Sequence, residues 1–450
     1  MSAAASSSRR PRFRHAGQVV VAALAAAVAV GTAALMLPVA TTAPGSAPFV
    51  TALFHATSAV CVTGLSTVDT PNYWTPFGQV VILALIQIGG FGVMTLASLL
   101  AIALTKKIGL RSRLTAASET KAQGIGDIRR VLLGVARVTV IIEASVALAL
   151  TLRWWLGYDQ SLPRALYLGV FHAVSAFNNA GFALFSDNLV SHASDPFILV
   201  PISLAIILGG LGFPVIMEVL RGVSPRRLSL HTKITLTVSA SLLVLGAVAM
   251  IVLEWGNHKT LGPMSLAEKI LVGTFHSVSA RTAGFNAWDY GAVDDSSLLS
   301  TIVLMFIGGG SAGTAGGIKV TTFFLLFVAI VAEMRGDAHA SVFGRRIPER
   351  ALRQALTVSL IGIAAIVVST LVLSEMTHLR LAELLFETTS AFATVGLSTG
   401  ITAGLPEAGQ LLLVVLMFLG RLGPITLVSA LALRESSQRY TYPEGRPLIG

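Results

Sequence analysis

Long apolar stretches alternate with short polar segments along most of the chain. Crossing the roughly 30 Å hydrocarbon core of a bilayer as a helix takes about 20 apolar residues. Eight stretches reach this length with few interior charges, so the pattern predicts an all-α integral membrane protein with eight transmembrane helices. The predicted spans are 18–40, 76–104, 131–156, 195–220, 232–255, 297–333, 352–374 and 407–433.

The composition agrees with a membrane protein. The 450 residues are 54% hydrophobic and 12% charged. Soluble domains carry about 25% charged residues, so soluble enzymes, nucleic-acid-binding proteins and disordered scaffolds are excluded. The single cysteine, Cys61, excludes an intrachain disulfide and an all-cysteine metal site. We expect no covalently bound cofactor and no nucleic-acid partner.

Basic residues are concentrated in alternate segments between the predicted spans. Of the 32 Lys and Arg residues, 23 lie in the two termini and in segments 105–130, 221–233 and 334–353, whereas the opposite loops hold 6 bases and 13 acids. Basic segments stay in the cytoplasm during insertion, so both termini are predicted to be cytoplasmic. An acidic outer side would concentrate cations, and a basic inner side suits anionic lipid or an acidic partner. The rule that basic segments stay in the cytoplasm during membrane insertion also accounts for this uneven distribution, without any functional role.

A semi-polar segment recurs between the two members of each predicted helix pair. Its four copies read Phe-x-x-x-Ser-Ala and then Gly, at 54–64, 171–181, 275–284 and 386–396. The serine and the glycine are six residues apart in three copies and five in the third, which therefore lacks one residue. A second glycine element follows each copy after about 24 to 28 residues, at Gly89, Gly209, Gly308 and Gly420. Four copies in register argue against glycine serving only as a helix-packing residue.

The recurring segments are too short to cross a bilayer, and they fit a short helix that enters the membrane and returns as extended chain. Such backbone is tolerated only inside protein or beside a water-filled cavity. We therefore predict four helix–pore loop–helix repeats with pseudo-fourfold symmetry around one pore. The predicted organisation is an N-terminus at 1–17, repeat 1 at 18–104 with pore loop 52–64, a cytoplasmic loop at 105–130, repeat 2 at 131–220 with pore loop 169–181, repeat 3 at 221–333 with pore loop 272–284, repeat 4 at 334–433 with pore loop 384–396, and a tail at 434–450.

The four loop glycines predict a ring of backbone carbonyls, and a selectivity filter at this ring is what the family resemblance below implies. Glycine permits the left-handed or crowded backbone that aims carbonyl oxygens at a common axis, and a ring of carbonyls replaces the hydration shell of a monovalent cation. Only the fourth loop reads Thr-Val-Gly, so we expect few coordination sites and incomplete selectivity. The candidate ligands, mainly through the backbone, are Val62, Thr63, Gly64, Asn179, Ala180, Gly181, Thr282, Ala283, Gly284, Thr394, Val395 and Gly396.

These repeats, together with the strings 279–285 and 310–319, resemble the Trk/Ktr/HKT superfamily of potassium transporters over nearly the whole chain. With eight spans the chain is most similar to the Ktr membrane subunit. The resemblance implies K⁺ uptake through a gated, channel-like pore driven by the membrane potential, with K⁺ bound only at the filter and Na⁺ a candidate activator. It further implies a homodimer in a bacterial plasma membrane and a cytosolic ring of nucleotide-binding subunits.

The sixth predicted span contains a glycine-rich interruption at 308–317. Each glycine costs about 1 kcal/mol of helix stability relative to alanine, so a break within the membrane is expected. In the superfamily this break is an intramembrane gating loop; a kinked helix with close packing is the alternative. Arg421 stands at a glycine position of the second element and is expected near the conduction path or in a structural ion pair. The candidate gate residues are Gly308, Gly309, Gly310, Ser311, Gly313, Thr314, Gly316, Gly317, Lys319 and Arg421.

Charged and histidine residues beside the loops have structural interpretations. Arg281 is expected to point behind the third loop toward Glu387 or another outer acid. His55, His172 and His276 share one loop position, at which the fourth loop has Glu387, and this favours scaffolding over metal binding.

Three further interpretations stay open. A Na⁺-permeable member of the superfamily would carry the same motifs. A proton-coupled cation carrier would need acids or histidines in the pathway, of which the chain has few. The string at 309–313 matches the G-x-S-x-G of serine hydrolases, but no strand precedes it, so an intramembrane hydrolase is a remote alternative and we expect no enzymatic activity.

Overall fold

The computed structural model describes residues 13–108 and 125–423. Most of the predicted N-terminal segment 1–17, most of the predicted cytoplasmic loop 105–130, the end of the last predicted span and the tail 434–450 lie outside these residues. The described chain is mostly helical, as an apolar chain must be if its backbone groups are to be paired without water.

Long helices alternate with short ones along the chain. Lys and Arg are sparse within the long helices. Pro or Ser stands at the start of several helices, where these residues are commonly found. The helices are α1 Phe13–Leu35, α2 Phe49–Val60, α3 Thr70–Tyr73, α4 Pro76–Ile108, α5 Ile125–Gly157, α6 Leu162–Phe177, α7 Pro196–Leu211, α8 Phe213–Leu220, α9 Leu230–Leu253, α10 Leu266–Ser279, α11 Asp295–Phe306, α12 Val320–Arg335, α13 Glu349–Met376, α14 Leu381–Ala393 and α15 Glu407–Leu422.

Three helical stretches of the described chain are, by length and hydropathy, sufficient to cross a bilayer without a break: Leu132–Gly157, Leu230–Leu253 and Glu349–Met376. A fourth is added if α7 and α8 count as one bent span. Shorter apolar helices lie at Val20–Leu35, Phe49–Val60, Pro76–Gly92 and Asp295–Phe306. The count of eight spans therefore stays a prediction.

The predicted span 195–220 is not one continuous helix. It bends by 102° between α7 and α8. Gly212 at the bend has φ +94°, and Pro214 follows it in the first turn of α8. Proline lacks the N–H that would continue the helix, and glycine adopts the positive φ without strain. The sequence Gly-Phe-Pro therefore favours a bend at this point.

A small hairpin between α12 and α13 departs from the all-α prediction. Strand β1, Ser341–Val342, pairs antiparallel with strand β2, Arg345–Arg346. The two connecting residues, Phe343 and Gly344, have φ of +49° and +71°. Positive φ at both positions is the mark of a tight hairpin turn, which the sequence pattern of apolar spans does not signal.

Each of the short helices α2, α6, α10 and α14 is enclosed by neighbouring helices. Helix α2 packs against α1, α4 and α15, and α6 against α4, α5 and α7. Helix α10 packs against α7 and α9, and α14 against α11, α13 and α15. Phe54, Phe171, Phe275 and Phe386, which open the recurring sequence segment, are all fully buried in these contacts. The repeated phenylalanine therefore anchors each short helix in the core.

The C-terminal end of α5 and the N-terminal end of α7 are joined by polar contacts. Arg153 pairs with Asp195 at 2.7 Å, and Tyr158, which follows α5, donates a hydrogen bond to the same carboxylate at 3.0 Å. Burial raises the pKa of the Tyr158 hydroxyl above its ordinary value, and the neighbouring carboxylate acts in the same direction.

The segment between α11 and α12, residues 307–319, is here called the central segment. Its two ends meet: Gly308 donates its N–H to the carbonyl of Ile318 at 2.9 Å, and Ile318 donates to Phe306 at 3.1 Å. A parallel bridge joins Ile307 and Ile318. The sixth predicted span is thus two helices with a closed loop between them.

Candidate functional site

The chain after each short helix adopts the same unusual backbone four times. The residue two positions before the loop glycine has positive φ, a conformation that only a few per cent of non-glycine residues adopt. The glycine itself is also positive, so left-handed residues alternate with ordinary ones. The φ values are +56° and +96° at Val62 and Gly64, +58° and +70° at Asn179 and Gly181, +71° and +78° at Thr282 and Gly284, and +50° and +94° at Thr394 and Gly396.

The repeated serine holds each of these glycine loops in shape. Ser58 and Ser390 accept the N–H of Gly64 and Gly396 at 3.0 and 3.1 Å. In the other two loops the serine hydroxyl donates instead to the carbonyl of the residue after the glycine. The serine therefore recurs because it ties the extended chain back to the end of its short helix.

The missing residue of the third loop has a visible consequence. In loops one, two and four the serine carbonyl accepts from the N–H five residues on, at 2.7 to 2.8 Å. In the third loop Ser279 accepts from Ala283, four residues on, at 2.9 Å. The turn is tighter by one residue, yet Gly284 reaches the same position as the other loop glycines.

The four loop glycines meet in a closed ring, here called the glycine ring. A Cβ placed on each glycine would lie against the carbonyl oxygen of the residue that precedes the glycine in the next loop. Serine or alanine at any of these positions would collide with backbone. The distances are 2.3 Å from Gly64 to Ala180, 2.9 Å from Gly181 to Ala283, 2.4 Å from Gly284 to Val395 and 2.1 Å from Gly396 to Thr63.

This arrangement brings together backbone carbonyls from four separate parts of the chain. The residues before the ring glycines are fully buried, so their oxygens have left bulk water. Carbonyl rings of this kind replace the hydration shell of a monovalent cation. All twelve residues predicted for the filter lie in the four glycine loops that form this ring.

The second glycine element supports the ring from behind. A Cβ on Gly89, Gly209 or Gly420 would lie 2.0, 1.9 or 1.7 Å from the carbonyl oxygen of the residue four places before the ring glycine of the same repeat. These oxygens belong to Val60, Phe177 and Phe392. In the third repeat Gly308 instead abuts the carbonyl of Gly316, within the central segment, at 2.0 Å. Close backbone packing therefore explains the second element in three repeats.

A cavity of about 570 Å³, the outer cavity, opens on one side of the ring. Gly64, Gly181 and Gly396 form part of its wall. Asp69, Asp187 and Asp289 also line it, and all three side chains are exposed. Within the part of the chain that the structure describes, no Lys or Arg lines this cavity. Its carboxylates would raise the local concentration of cations.

Two of the three histidines predicted to be scaffolding connect their short helix to its returning chain, whereas His55 Nε2 has no hydrogen-bond partner among the described residues. His172 and His276 accept the N–H of Leu184 and Ala287 at 3.3 and 3.1 Å. Glu387 takes the same role in the fourth loop by accepting from Ser398 at 2.9 Å and from Thr402. Across residues 13–108 and 125–423, no three His, Cys, Asp or Glu side chains come together as a metal site.

The central segment lies against the other side of the ring, here called the inner side. The Thr314 hydroxyl donates to Asn179 Oδ1 at 3.0 Å and to the carbonyl of Phe177 at 3.2 Å. Gly316 donates its N–H to Thr282 Oγ1 at 3.1 Å. Hydrogen bonds therefore link the segment directly to the second and third glycine loops.

Close contacts of its glycines also pack the central segment against the fourth glycine loop and α7. A Cβ on Gly316 would lie 1.9 Å from Thr394 Oγ1, in the fourth glycine loop. Gly310 donates its N–H to the carbonyl of Gly210 in α7 at 2.7 Å, and Gly313 abuts the carbonyls of Gly209 and Gly210. Of the predicted gate residues, Ser311 differs in direction, because its hydroxyl faces Thr321 at 3.3 Å. The remaining predicted residues gather beneath the ring: Gly308, Gly309, Gly310, Gly313, Thr314, Gly316, Gly317, Lys319 and Arg421.

Three cationic side chains bind backbone carbonyls of the central segment. Arg281 donates to Gly308 at 3.2 Å, Arg421 donates to Thr314, and Lys319 donates to Ala315. Both arginines are buried and Lys319 is half-buried. Among the described residues none of the three forms a salt bridge, so the cations are stabilised by backbone carbonyls and, for Arg281, also by the Ser239 hydroxyl. Replacing any of them would release a tie on the segment.

Two sequence expectations about these arginines need correction. Arg281 points behind its loop, toward the carbonyl and hydroxyl of Ser239 in α9, but it does not bind Glu387. An ion pair of Arg421 is absent from the described part of the chain; its other contact is the carbonyl of Gly89 at 3.3 Å. Arg281 was missed as a residue of the inner site, and its place in the shortened third loop was the available signal.

A polar cluster behind the second glycine loop was also missed. Asn178, which ends α6, donates to Gln87 at 2.9 Å and to Glu143 at 3.0 Å. Its side chain fills the space above Gly90, where a Cβ would lie 1.9 Å from Asn178 Oδ1. Glu143 therefore holds the side chain of the residue that ends α6.

Known proteins share this architecture. The family profile described as TrkH: Cation transport protein matches residues 2–441. Ktr system potassium uptake protein B of Bacillus subtilis is 40% identical over 94% of each chain. Potassium/sodium uptake protein NtpJ of Enterococcus hirae is 34% identical over 96% of this chain and 97% of its own. The crystal structure of the potassium transporter TrkH from Vibrio parahaemolyticus superposes with a TM-score of 0.76 at 17% identity, covering 94% of this chain and 86% of its own.

Proposed function

The chain belongs to the TrkH family of cation transport proteins, and from that premise we propose that it takes up K⁺ through a gated, channel-like pore. The observation that carries the proposal is the closed glycine ring, with an acidic cavity on one side and the central segment on the other. The membrane potential drives the ion, since 100 mV supplies about 2.3 kcal/mol per unit charge.

The ring is the proposed selectivity filter. K⁺ exchanges water for the carbonyls of the glycine loops as it passes from the outer cavity. The fourfold left-handed backbone and the exclusion of any Cβ at the ring support this assignment. Only Thr394-Val395-Gly396 has the sequence of strongly selective potassium filters, so preference for K⁺ over Na⁺ is expected to be real but incomplete.

The proposed gate is the central segment. It lies directly below the ring and is held there by hydrogen bonds from Thr314 and Gly316 and by carbonyl contacts with Arg281, Lys319 and Arg421. A cation leaving the ring inward meets this segment and its positive charges. Conduction therefore requires the segment to move.

The proposed architecture is eight spans in four pseudo-symmetric repeats. Helices α1, α4, α15 and the pair α11 and α12 complete the set begun by α5, α9, α13 and the bent pair α7 and α8. We propose that the outer cavity faces outward and that the hairpin β1–β2 and both termini lie in the cytoplasm of a bacterium, because basic segments stay in the cytoplasm during insertion. The long helices would then lie in the plasma membrane in contact with lipid.

Partners follow from the family. The curated relatives are named as proteins of a Ktr system, which supports a multi-component assembly. We propose a homodimer served by a cytosolic ring of nucleotide-binding subunits. The basic segment 334–353 carries the exposed Arg345 and Arg346 of strand β2 and offers a surface to an acidic partner or to anionic lipid.

A role for Na⁺ has specific support. A relative named as a potassium/sodium uptake protein covers 96% of this chain, so Na⁺ is a second candidate cargo or activator. The structure offers no support for the two alternative functions, a serine hydrolase and a proton-coupled carrier. Ser311, required for a hydrolase, contacts Thr321 rather than a histidine, and the glycine ring offers a carrier no titratable side chain among the described residues.

The proposal is tested by growth of a K⁺-uptake-deficient bacterium at limiting K⁺, with and without a cytosolic partner subunit. Wild type is expected to restore growth, and the Gly284→Ser variant is expected to fail. Gly404→Ser is the matched control, because a Cβ at Gly404 meets nothing within 4 Å. Membrane-inserted wild-type protein that fails to rescue under both conditions would refute K⁺ uptake and direct attention to Na⁺.

A further inference from the structure

A group of aromatic rings connects the C-terminal end of α5 with the second glycine loop. Trp154 lies in α5, His172 in α6, and Phe185 and His192 in the chain that returns from the loop to α7. The ring of Phe185 lies 5.2 Å from that of His172 and 4.7 Å from that of His192, between centroids. His172 accepts the N–H of Leu184 in the same returning chain. The rings therefore link His192 to the backbone that follows the second loop.

Hydrogen bonds of the His192 ring require its neutral form. Trp154 Nε1 donates to His192 Nε2 at 3.4 Å, and His192 Nδ1 lies 3.2 Å from the Ser191 hydroxyl. An indole nitrogen can only donate, so Nε2 carries no proton and the single proton of the ring lies on Nδ1. A second proton on the ring would place two hydrogens between Trp154 and His192 and break their bond. Trp154 is fully buried and would then lose its acceptor.

Charged and titratable groups surround His192 on several elements. Burial lowers the pKa of His192 below its ordinary value, and the carboxylates of Asp187 and Asp195 oppose this shift. Asp195 is itself engaged by a salt bridge and by a tyrosine hydroxyl. The groups are Asp187 in the returning chain, Asp195 at the start of α7, Arg153 and Tyr158 at the end of α5, and His172 in α6.

His192 lies next to the solution on the side of the outer cavity. Its side chain is buried, but the neighbouring Ser191 is exposed. Val190, in the same 3₁₀ turn, lines the outer cavity. Protons of the outer solution can therefore reach the ring after a small local movement.

We propose that His192 and Trp154 are positioning residues for the second glycine loop, and that protonation of His192 from the side of the outer cavity weakens K⁺ binding at the ring. The inference rests on the proposed function, since it takes the glycine ring to bind K⁺. Neutral His192 supports the loop through Trp154 and the packed rings. Acid in the outer solution removes this support.

Three variants separate this role from a general effect of acid. His192→Gln keeps an amide oxygen that can accept the Trp154 N–H but does not titrate. Trp154→Phe keeps an aromatic ring and removes the donor. His258→Gln is the matched control, because His258 is an exposed histidine in the connection between α9 and α10.

The test is uptake of ⁸⁶Rb⁺, as a K⁺ tracer, by K⁺-uptake-deficient cells that express the full chain with a cytosolic partner subunit. Uptake is measured against K⁺ concentration at external pH of about 7.5 and about 5, on either side of the ordinary histidine pKa of about 6.5. External acid alters the membrane potential equally in all variants, so the comparison between variants isolates the effect of His192.

Acidification is expected to raise the half-saturating K⁺ concentration of wild type about fivefold, the effect of one ordinary hydrogen bond. His192→Gln should keep the low value at both pH values. Trp154→Phe should have the raised value already at pH of about 7.5, with no further rise in acid. His258→Gln should follow wild type.

A rise that persists in His192→Gln, or a Trp154→Phe variant that responds to acid like wild type, would overturn the proposal. The absence of any rise in wild type would overturn it as well, while wild-type uptake at neutral pH upholds the proposed function. A rise that vanishes near 1 M choline chloride would also count against it, because salt screens the repulsion between the added charge and K⁺ but does not restore the bond to Trp154.

The proposal stays testable if Trp154→Phe fails to insert. His192→Leu then takes its place, because it removes the acceptor instead of the donor and is expected to show the same raised, pH-independent value. Absence of uptake by intact wild type at neutral pH would instead refute the proposed function.

Discussion

The two sides of the glycine ring are built from opposite charges. The outer cavity is open, about 570 Å³ in volume, and carries the exposed carboxylates of Asp69, Asp187 and Asp289. The inner side is filled by the central segment, whose carbonyls bind Arg281, Lys319 and Arg421. One ring of carbonyls thus separates an acidic cavity from a side that carries buried and half-buried cationic side chains.

Under the proposed function, this difference assigns selectivity and gating to different residues of one pathway. The outer side needs exposed charge with no fixed geometry, because long-range attraction depends little on exact contacts. The ring and the inner side need close backbone approach, because a Cβ on the ring glycines would lie less than 3 Å from a carbonyl oxygen. Substitutions are therefore expected to have large effects at the ring, intermediate effects inside it and small effects outside it.

The largest effect is expected at the ring itself. Gly396→Ser puts a Cβ at a position 2.1 Å from the carbonyl oxygen of Thr63 and at a backbone φ of +94°. Strain of this kind costs about 1 to 3 kcal/mol before any clash, so K⁺ uptake should fall by about tenfold or more. Tracer uptake into cells that express equal amounts of wild-type and variant protein measures this fall. Gly404→Ser is the control, and equal uptake by the two serine variants would contradict a crowded ring.

An intermediate effect of opposite sign is expected inside the ring. Arg421→Gln removes the charged donor to the carbonyls of Thr314 and Gly89 and so releases the central segment. A hydrogen bond from a charged group contributes about 1.5 kcal/mol or more, so the flux should rise by up to about tenfold.

The measurement is uptake at saturating K⁺ in proteoliposomes. Arg335→Gln, at an exposed position in the last turn of α12, is the matched control. A fall in flux for Arg421→Gln with normal insertion would mean that the arginine maintains the pathway rather than the closed gate.

The smallest effect is expected in the outer cavity. Replacing Asp69, Asp187 and Asp289 together by asparagine removes three charges and keeps side-chain acceptors. At low ionic strength the half-saturating K⁺ concentration should rise about two- to threefold, and the difference should vanish near 1 M salt, where the Debye length is about 3 Å.

Choline chloride can set the ionic strength of that experiment, and Asp337→Asn in the α12–α13 connection is the control. A shift that persists unchanged at high salt would show that the carboxylates bind the ion directly rather than attract it from a distance.

The sequence predicted those parts of the site that depend on local backbone. Gly64 and its three counterparts were found because a repeated Ser-Ala and glycine demand the same turn at the end of each short helix. The break in the sixth predicted span was found because several glycines in one stretch do not sustain a helix. The bend at Gly212 could have been found in the same way, from the following Pro214.

Contacts between distant segments could not be predicted. Arg281 was expected to bind an acid, since charge is the only partner signal a sequence shows, but it binds carbonyls of Ser239 and Gly308. Backbone oxygens are present at every residue and leave no mark in the sequence. The ties from Thr314 to Asn179 and from Gly316 to Thr282 are hidden for the same reason, because they join residues more than 30 positions apart.

The central claim is that the four-glycine ring selects the transported ion. The most direct test is the ratio of K⁺ to Na⁺ permeation in proteoliposomes for wild type and for serine variants at Gly64, Gly181, Gly284 and Gly396. Wild type should prefer K⁺, and the ring variants should lose part or all of that preference even where flux remains. An unchanged K⁺-to-Na⁺ ratio in all four variants would contradict the claim and place selectivity elsewhere in the chain.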